Sequence, residues 1–209
     1  ESESRGLGDV YKRQVYKECE SNKEIYKMKM KQFFNRCLDL PYKSNSQDNP
    51  EHENQIEDIL KDLGIRYESQ PNGIQASPDF YVYDENDVRY DVEAKSSKGH
   101  YPMYNGGLPK KGYYYIFSSK KYNETTIFKS EDVVSDSKRT AYDELLEELD
   151  SVLQKFRATD EWKDDDRGFD FYIRNMYTQS GGKDKVNYFT HEQRKVCEEN
   201  ILNQFDSAT

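Results

Sequence analysis

The chain has few of the residues that stabilise many small proteins through covalent bonds or metal ions. Among its 209 residues only three are cysteine and three are histidine. The cysteines, Cys19, Cys37 and Cys197, are widely spaced and odd in number, so we expect no disulfide framework. The histidines lack the spacing of a zinc site, and no CxxC or HExxH motif occurs. We therefore expect a protein of the reducing cytoplasm that does not depend on disulfides or zinc.

Long apolar runs are also missing. No segment approaches the roughly 18 apolar residues that a transmembrane helix needs, so we expect no membrane partner. Isoleucine, valine, leucine and phenylalanine make up only 40 of the 209 residues, a fraction close to that of disordered chains. The 18 tyrosines compensate, because each adds a large apolar ring. A chain of this length and composition is expected to form one folded, polar and tyrosine-rich domain.

Charge is unevenly distributed along the chain, whose net charge is -9. Seven lysines and one acid lie between Lys95 and Lys129, whereas thirteen acids and five bases lie between Glu131 and Asp166. A basic segment with interleaved tyrosine and histidine is typical of a surface that binds a polyanion. Two solvated faces of opposite charge would give the same pattern, so charge alone does not decide between these readings.

Hydrophobic periodicity predicts a helix-rich start and a hairpin in the middle of the chain. Residues 1–14 lack any periodicity and are similar to the translated read-through of a sequencing adapter, so we expect them to be non-native or disordered. Residues 15–209 are expected to form the single domain. Its core, about 51–128, is predicted to hold one helix and four to five strands. Those elements are a helix over 51–63, a short strand over 65–68, a hairpin formed by 79–83 and 89–95, and strands over 113–118 and 125–128.

Outside this core, helices are expected at both ends. The pattern over 15–40 fits one or two amphipathic helices that end before Pro41. The C-terminal part, about 137–205, is predicted as a helix, a strand and a second helix. The strand is expected over Phe169 to Met176, and the last helix over Thr190 to Phe205, with Thr190 and Gln193 set as a capping box.

The predicted hairpin brings two acids and a lysine together. Side chains alternate between the two faces of a strand, so Glu93 and Lys95 must share a face. If the connection 84–88 pairs Tyr83 with Arg89, Asp79 lies opposite Glu93 and joins them. The apolar residues of both strands then occupy the other face, and burial of that apolar face selects this register.

These three residue types suit the hydrolysis of a phosphodiester. Asp79 and Glu93 offer the hard oxygen ligands that Mg²⁺ prefers. A bound metal can activate water and stabilise charge on the phosphate. Lys95 can position or deprotonate that water, or neutralise the transition state, and the sequence does not separate these roles. A surface hairpin with an ordinary ion pair is the alternative reading.

Pro78-Asp79, thirteen intervening residues and then Glu93-Ala94-Lys95 resemble the motif of the PD-(D/E)xK nuclease superfamily, many of whose members are type II restriction endonucleases. The resemblance implies an α/β (α+β) fold, with a central mixed β-sheet flanked by helices in a restriction-endonuclease-like core. It also implies Mg²⁺, for which Mn²⁺ can substitute, and a metal ligand from the carbonyl of Ala94. Members of the superfamily often add an acid from the helix before the first core strand.

Three glutamates of the helix over 51–63 are candidates for that additional acid. On a helical wheel Glu53 lies about 70° from the centre of the apolar stripe, closer than Glu57 at about 110° and Glu51 farther away. Glu53 is therefore the expected third carboxylate. His52 lies closer still to the stripe, where a lone histidine is more often packed or hydrogen-bonded than a ligand.

The segment that follows Lys95 is the expected DNA-contact region, because it combines charge for phosphates with groups that can read base edges. Its candidates are Ser96, Ser97, Lys98, His100, Tyr104, Asn105, Lys110 and Lys111. A second group, Ser118, Ser119, Lys120 and Lys121, ends the following strand. Tyr113, Tyr114 and Tyr115 are expected to pack in the sheet rather than to stack on bases.

The sequence thus predicts a Mg²⁺-dependent, sequence-specific endonuclease that cuts double-stranded DNA. A cut through both strands needs two active sites, which a homodimer on a palindrome supplies. A restriction enzyme also implies a cognate DNA methyltransferase as partner. Two alternatives stay open. One is another nuclease of the superfamily, such as a repair enzyme, a resolvase or an exonuclease, and the other is a noncatalytic DNA-binding module with the same fold.

Overall fold

The computed structural model describes residues 27–43, 50–74, 76–164, 166–173, 176–178, 180–181 and 184–206. The expectation for residues 1–14 therefore lies outside the described residues. The predicted N-terminal helix is described from residue 27 onward, where residues 27–38 are helical and form α1. Among the described helices none is long and apolar enough to cross a membrane.

Nine strands and five further helices follow α1 in the described part of the chain. In order they are α2 (Pro50–Leu63), β1 (Arg66–Ser69), β2 (Phe80–Tyr83), β3 (Arg89–Ser97), β4 (Met103–Tyr104), β5 (Tyr114–Ser119), β6 (Glu124–Lys129), α3 (Ser130–Val133), α4 (Asp136–Arg157), α5 (Asp160–Lys163), β7 (Tyr177–Thr178), β8 (Ser180–Gly181), β9 (Asp184–Lys185) and α6 (Arg194–Leu202), with a 3₁₀ turn at Asn203–Phe205.

A five-stranded mixed sheet in the order β1-β2-β3-β5-β6 forms the centre of the protein. The pairs β1–β2, β2–β3 and β5–β6 are antiparallel, and β3–β5 is parallel. A parallel pair requires a long connection, which here is the segment 98–113 with β4 inside it. Helices flank this sheet, so the predicted fold class is confirmed.

One face of the sheet packs against α1, α2 and the C-terminal 3₁₀ turn, and we call this packing the helical core. It contains Phe33 and Phe34 of α1, Ile56 and Leu60 of α2, and Phe205. The sheet contributes Phe80, Val82, Val92, Ala94, Tyr114, Ile116 and Ile127. Helix α2 ends where the sequence predicts, because Gly64 adopts a φ of 61° and lets the Ile65 N–H bond the Leu60 carbonyl.

On the opposite face of the sheet, the described residues form a second cluster near β5 and β6, which we call the aromatic cluster. It consists of Tyr104, Tyr115, Phe117, Phe128, Tyr188 and Phe189. Helix α6 contributes to both sides of the sheet, because Ile201 lies in the helical core and Cys197 packs against the aromatic cluster. Near β2 and β3 this second face carries Asp79, Glu93 and Lys95.

Two predictions for the C-terminal part are wrong. Residues 169–173 form no strand, and Phe169 and Tyr172 are 80% and 75% exposed. Among the described residues the run pairs with no strand, and the ion pair of Arg157 and Asp170 connects it to α4. The last helix begins at Arg194 rather than at Thr190.

The capping box predicted at that helix is absent as well. Gln193 occupies the N-cap without a side-chain cap bond. The Thr190 N–H bonds the side-chain oxygen of Asn187, which also accepts from the Phe189 N–H. These bonds hold residues 187–190 in a turn, so Thr190 cannot start the helix.

Candidate active site

The hairpin of β2 and β3 has the register that the sequence predicts. Tyr83 pairs with Arg89 and Phe80 with Val92, so the apolar side chains of both strands enter the helical core. The five-residue connection is closed by Asp84, whose carboxylate accepts from the N–H groups of Asn86 and Val88. Asp79 directly precedes β2 and therefore lies beside Glu93 and Lys95 on the other face.

Short hydrogen bonds hold the carboxylates of Asp79 and Glu93 in place. One carboxylate oxygen of Asp79, Oδ2, accepts from the backbone N–H of Ala94 at 2.7 Å. Lys95 Nζ donates to Glu93 Oε1 at 2.6 Å. The other Glu93 oxygen, Oε2, is buried without a hydrogen-bond partner in the structure. A buried carboxylate oxygen without a donor is costly, unless a cation or a water binds it.

Burial makes the charged states of Asp79 and Glu53 unfavourable. It raises the pKa of Asp79 to about 7, and the nearby Glu93 carboxylate adds to the shift. The pKa of Glu53 is also raised, mainly by burial and further by Glu93, whereas the hydrogen bond from Gln70 lowers it. Carboxylates that repel one another in a partly buried site favour binding of a cation.

The structure brings Glu53 to this site, as the helical wheel predicts. Gln70 bonds both Glu53 and the backbone of Asp79, and the Glu53 charge adds to the raised pKa of Asp79. Glu57 instead accepts from the Tyr67 hydroxyl at 2.7 Å and pairs with Lys61. His52 is fully buried, and its Nε2 lies 3.2 Å from the Ile116 carbonyl. Burial lowers the pKa of His52 to about 4, so this histidine is a neutral packing residue.

Gln70 is a site residue that the sequence did not reveal. Its side-chain Nε2 donates to Glu53 Oε2 at 3.3 Å, and its backbone N–H donates to the Asp79 carbonyl at 2.7 Å. Gln70 adopts a φ of 47°, in the left-handed region that few residues other than glycine enter. No sequence pattern relates a glutamine in a turn to a glutamate in a helix. Only the folded structure therefore reveals that Gln70 contacts Glu53.

The residues present fit a metal that needs few protein ligands. No group of three or more histidine, cysteine, aspartate or glutamate residues within the described ranges is arranged to hold a metal. Mg²⁺ commonly takes only one or two carboxylates and keeps several waters. Asp79, with a raised pKa, and Glu93, with an unpartnered oxygen, match that requirement.

Tyrosine–arginine stacks cover the sheet face next to the acids. The Arg89 guanidinium lies 4.2 Å from the centre of the Tyr81 ring, and Arg66 lies 4.0 Å from the centre of Tyr83. Both tyrosines belong to β2, two and four residues after Asp79. Both arginines are also ion-paired, Arg89 with Asp91 and Arg66 with Asp87, so the charges of this part of the sheet face are balanced.

Most of the predicted DNA-contact residues lie at the surface. Lys98, Asn105, Lys110 and Lys111 are exposed, and Ser96 and His100 are half-buried. Lys111 pairs with Asp136 at 3.0 Å. Ser97 is half-buried, and its hydroxyl donates to the Tyr101 carbonyl and accepts from the Gly99 N–H. Ser97 therefore shapes the turn after β3.

Three of the predicted contacts are not at the surface. Tyr104 is 4% exposed, and its hydroxyl lies 3.3 Å from that of Tyr188 inside the aromatic cluster. Ser118 and Ser119 are fully buried. Placing Tyr104 among the exposed contacts is therefore wrong, because the tyrosine ring contributes more through burial in the second core than through its hydroxyl at the surface. Lys120 and Lys121 of the second group are exposed.

Comparisons with known proteins give no functional assignment, so any proposal must rest on the geometry of the site. No protein-family model, curated protein or solved structure matches the chain.

Proposed function

We propose that the protein is a Mg²⁺-dependent endonuclease that cuts double-stranded DNA at specific sequences, as type II restriction enzymes of the PD-(D/E)xK superfamily do. The observation that carries this proposal is the gathering of Asp79, Glu93 and Lys95 on one sheet face, with a buried oxygen of Glu93 left unpartnered. A surface ion pair would not need a second, partly buried carboxylate with a raised pKa beside it.

Asp79, Glu93 and the Ala94 carbonyl would hold the Mg²⁺, and Mn²⁺ can substitute for it. When bound, the cation supplies Lewis acidity and lowers the pKa of a water. The Ala94 N–H fixes the Asp79 carboxylate, so this ligand is oriented before any metal arrives. Glu53 adds negative charge at the same place and is held by Gln70.

Lys95 is the residue that faces the reacting phosphate in this proposal. Its ammonium is held by Glu93 at 2.6 Å, which fixes its position on the sheet face. From there it can stabilise negative charge on the phosphate or orient the attacking water. The exposed lysines 98, 110 and 111 follow in the next loop, where they would bind phosphates on either side of the scissile bond.

Digestion of DNA tests the proposal directly. Long unmethylated phage DNA incubated with the protein and Mg²⁺ is expected to give discrete fragments, and EDTA is expected to abolish them. Sequencing of the fragment ends would then identify the target and the cut position. A smear would favour an exonuclease or a structure-specific relative. No cleavage of several DNAs, with Mn²⁺ as well as Mg²⁺, would favour a noncatalytic DNA-binding module.

The proposed function implies two partners. A symmetric homodimer would supply the two active sites that a double-strand cut needs. A DNA methyltransferase of the same specificity would protect the host DNA.

Substitutions in the loop after β3 test which residues contact DNA. Lys110→Ala is expected to weaken DNA binding about three- to tenfold at low salt and to reduce the slope of log K against log salt by about one, because one phosphate contact is lost. Tyr104→Phe is the matched control, since the buried hydroxyl reaches Tyr188 and not the solvent. Fluorescence anisotropy in Ca²⁺ would measure both. An equal loss of affinity in Tyr104→Phe would contradict this assignment.

A further inference from the structure

Helix α4 carries an apolar stripe that the described residues leave largely uncovered. The stripe is formed by Tyr142, Leu145, Leu149, Val152 and Phe156. Their spacings alternate between three and four residues, which is the a and d pattern of a heptad repeat. The last four are between 40% and 58% exposed. A regular exposed stripe of this kind is typical of a helix that packs against another helix.

The two ends of α4 are attached to the rest of the protein, and the stripe lies between them. Near its start, Arg139 donates to the carbonyls of Pro109 and Ser130, and the Tyr142 ring contacts Tyr177. At its end, Arg157 pairs with Asp170. These attachments hold the helix in place and leave the face from Leu145 to Phe156 toward solvent.

The charges beside the stripe are self-complementary in an antiparallel pair. Glu148 and Lys155 occupy successive g positions of the heptad, one with a carboxylate and one with an ammonium. If two copies of α4 lie antiparallel, with a twofold axis near residues 150–152, Glu148 of each copy lies beside Lys155 of the other. A parallel pair would instead place Glu148, at g, beside an e position of the partner, which is Leu153, and would form no Glu148–Lys155 contact.

The apolar layers match in the same arrangement. Leu149 of one copy would lie against Val152 of the other, and Leu145 against Phe156. The two smaller Leu–Val layers are then central, and the two larger Leu–Phe layers lie outside them. Each contact occurs twice about the axis, as an isologous interface requires. The pattern of side-chain sizes and the pattern of charges thus select the same register independently.

The exposed apolar surface is also large enough for a stable pair. Phe156 shares the walls of a groove of about 540 Å³ with Phe169 and Phe171. Together with the exposed Tyr172 and the stripe itself, these side chains present on the order of 800 Å² per copy, which is what a standard interface buries on each partner. We propose that this surface, formed by the α4 stripe and the aromatic residues 169–172, binds a second copy of the chain through antiparallel pairing of α4.

The α4 interface would be the dimer surface of the proposed nuclease, but the observations that support it are independent of the active site. Formation of this dimer needs neither DNA nor metal. Failure of the dimer and failure of the nuclease activity are therefore distinguishable, because sedimentation is measured on the protein alone and cleavage is measured separately.

Sedimentation velocity of the full chain over a range of concentrations tests the interface. The wild type is expected to form a dimer, and Val152→Asp is expected to raise the dimer dissociation constant at least about 100-fold, because each copy would bury an unpaired carboxylate. Val88→Asp is the matched control: Val88 and Val152 are both 48% exposed, but Val88 lies in the hairpin loop. Far-UV circular dichroism checks that α4 stays helical in the variant.

Charge reversal tests the register without placing a charge in the apolar stripe. Glu148→Lys and Lys155→Glu, each alone, are expected to weaken the dimer about three- to tenfold at low salt, since each creates two like-charge contacts. The double variant is expected to restore wild-type affinity. A wild type that stays monomeric at about 100 μM, a dimer that survives Val152→Asp, or a double variant no better than the single ones would overturn the proposal.

Discussion

Replacing Lys95 with methionine is expected to reduce the rate of DNA cleavage about 1000-fold or more while the protein stays folded. A positioned group that takes part in proton transfer or stabilises developing charge contributes a factor of this size. Methionine keeps the length of the side chain and removes its ammonium. The Lys95 side chain is only 29% exposed and bonds Glu93, so its loss removes a charge that solvent cations would not replace in the same position.

Lys98→Met is the control for this experiment. Lys98 is exposed and lies three residues further along the chain. Its loss is expected to raise KM through a missing phosphate contact and to leave kcat within about threefold of wild type. Single-turnover cleavage at saturating DNA separates the two effects. If Lys95→Met cleaves at the wild-type rate under those conditions, Lys95 does not act in the chemical step.

Replacing Asp79 with asparagine is expected to abolish metal binding and cleavage, and yet to stabilise the metal-free protein at alkaline pH. The pKa of Asp79 is raised to about 7 in the folded chain, whereas an unfolded chain has a value of about 3.9. Between these two pKa values the folded state holds a proton that the unfolded state has released. The free energy of unfolding of the wild type therefore falls as pH rises from about 4 to 7, and above pH 7 the full penalty is present.

Asparagine removes this penalty because it does not ionise, and its side-chain oxygen can still accept from the Ala94 N–H. At pH 8 without metal, Asp79→Asn is expected to be more stable than wild type by on the order of 2 kcal/mol, and the difference is expected to disappear near pH 4. Urea denaturation at both pH values measures this. Equal stability at pH 8 would show that Asp79 is not destabilised by ionisation.

Metal titration completes the experiment. Adding Mg²⁺ at pH 8 is expected to raise the melting temperature of the wild type and to leave that of Asp79→Asn unchanged, because ligand binding to the folded state alone stabilises it. A cleavage rate below about one thousandth of wild type is expected for the variant. A variant that still gains stability from Mg²⁺ would place the metal elsewhere. A residue that weakens the empty fold and is needed for activity is typical of a functional site.

The sequence predicted the β2–β3 hairpin well because a single physical constraint determines it. Alternating side chains must bury Phe80, Val82 and Val92 together, and any other register would expose them. The same constraint placed Asp79 beside Glu93. The α2 helix and the position of Glu53 followed from periodicity for a similar reason, since the apolar stripe fixes the orientation of the helix.

Other features depended on contacts that periodicity does not encode. Tyr104 carries both a ring and a hydroxyl, so its sequence position fits a binding surface and a core equally well. The run at 169–173 has the composition of a strand but pairs with none of the described strands. Gln70 joins the site because a left-handed turn directs it to Glu53, which no pattern in the sequence indicates.

The parallel pairing of β3 with β5 places a long connection after the strand that carries Glu93 and Lys95. Since a parallel neighbour requires the chain to return to the starting end of the sheet, the connection 98–113 begins after Ser97, two residues beyond Lys95, and ends before β5. Asp79, Glu93 and Lys95 are held by strand register, whereas this connection contributes no strand to the central sheet. Substitutions at its exposed positions, such as Lys98, Asn105 and Lys110, alter the surface at little cost to the fold, whereas Tyr104 is fixed in the aromatic cluster. In the proposed nuclease, such substitutions would change the DNA contacts and leave Asp79, Glu93 and Lys95 in position.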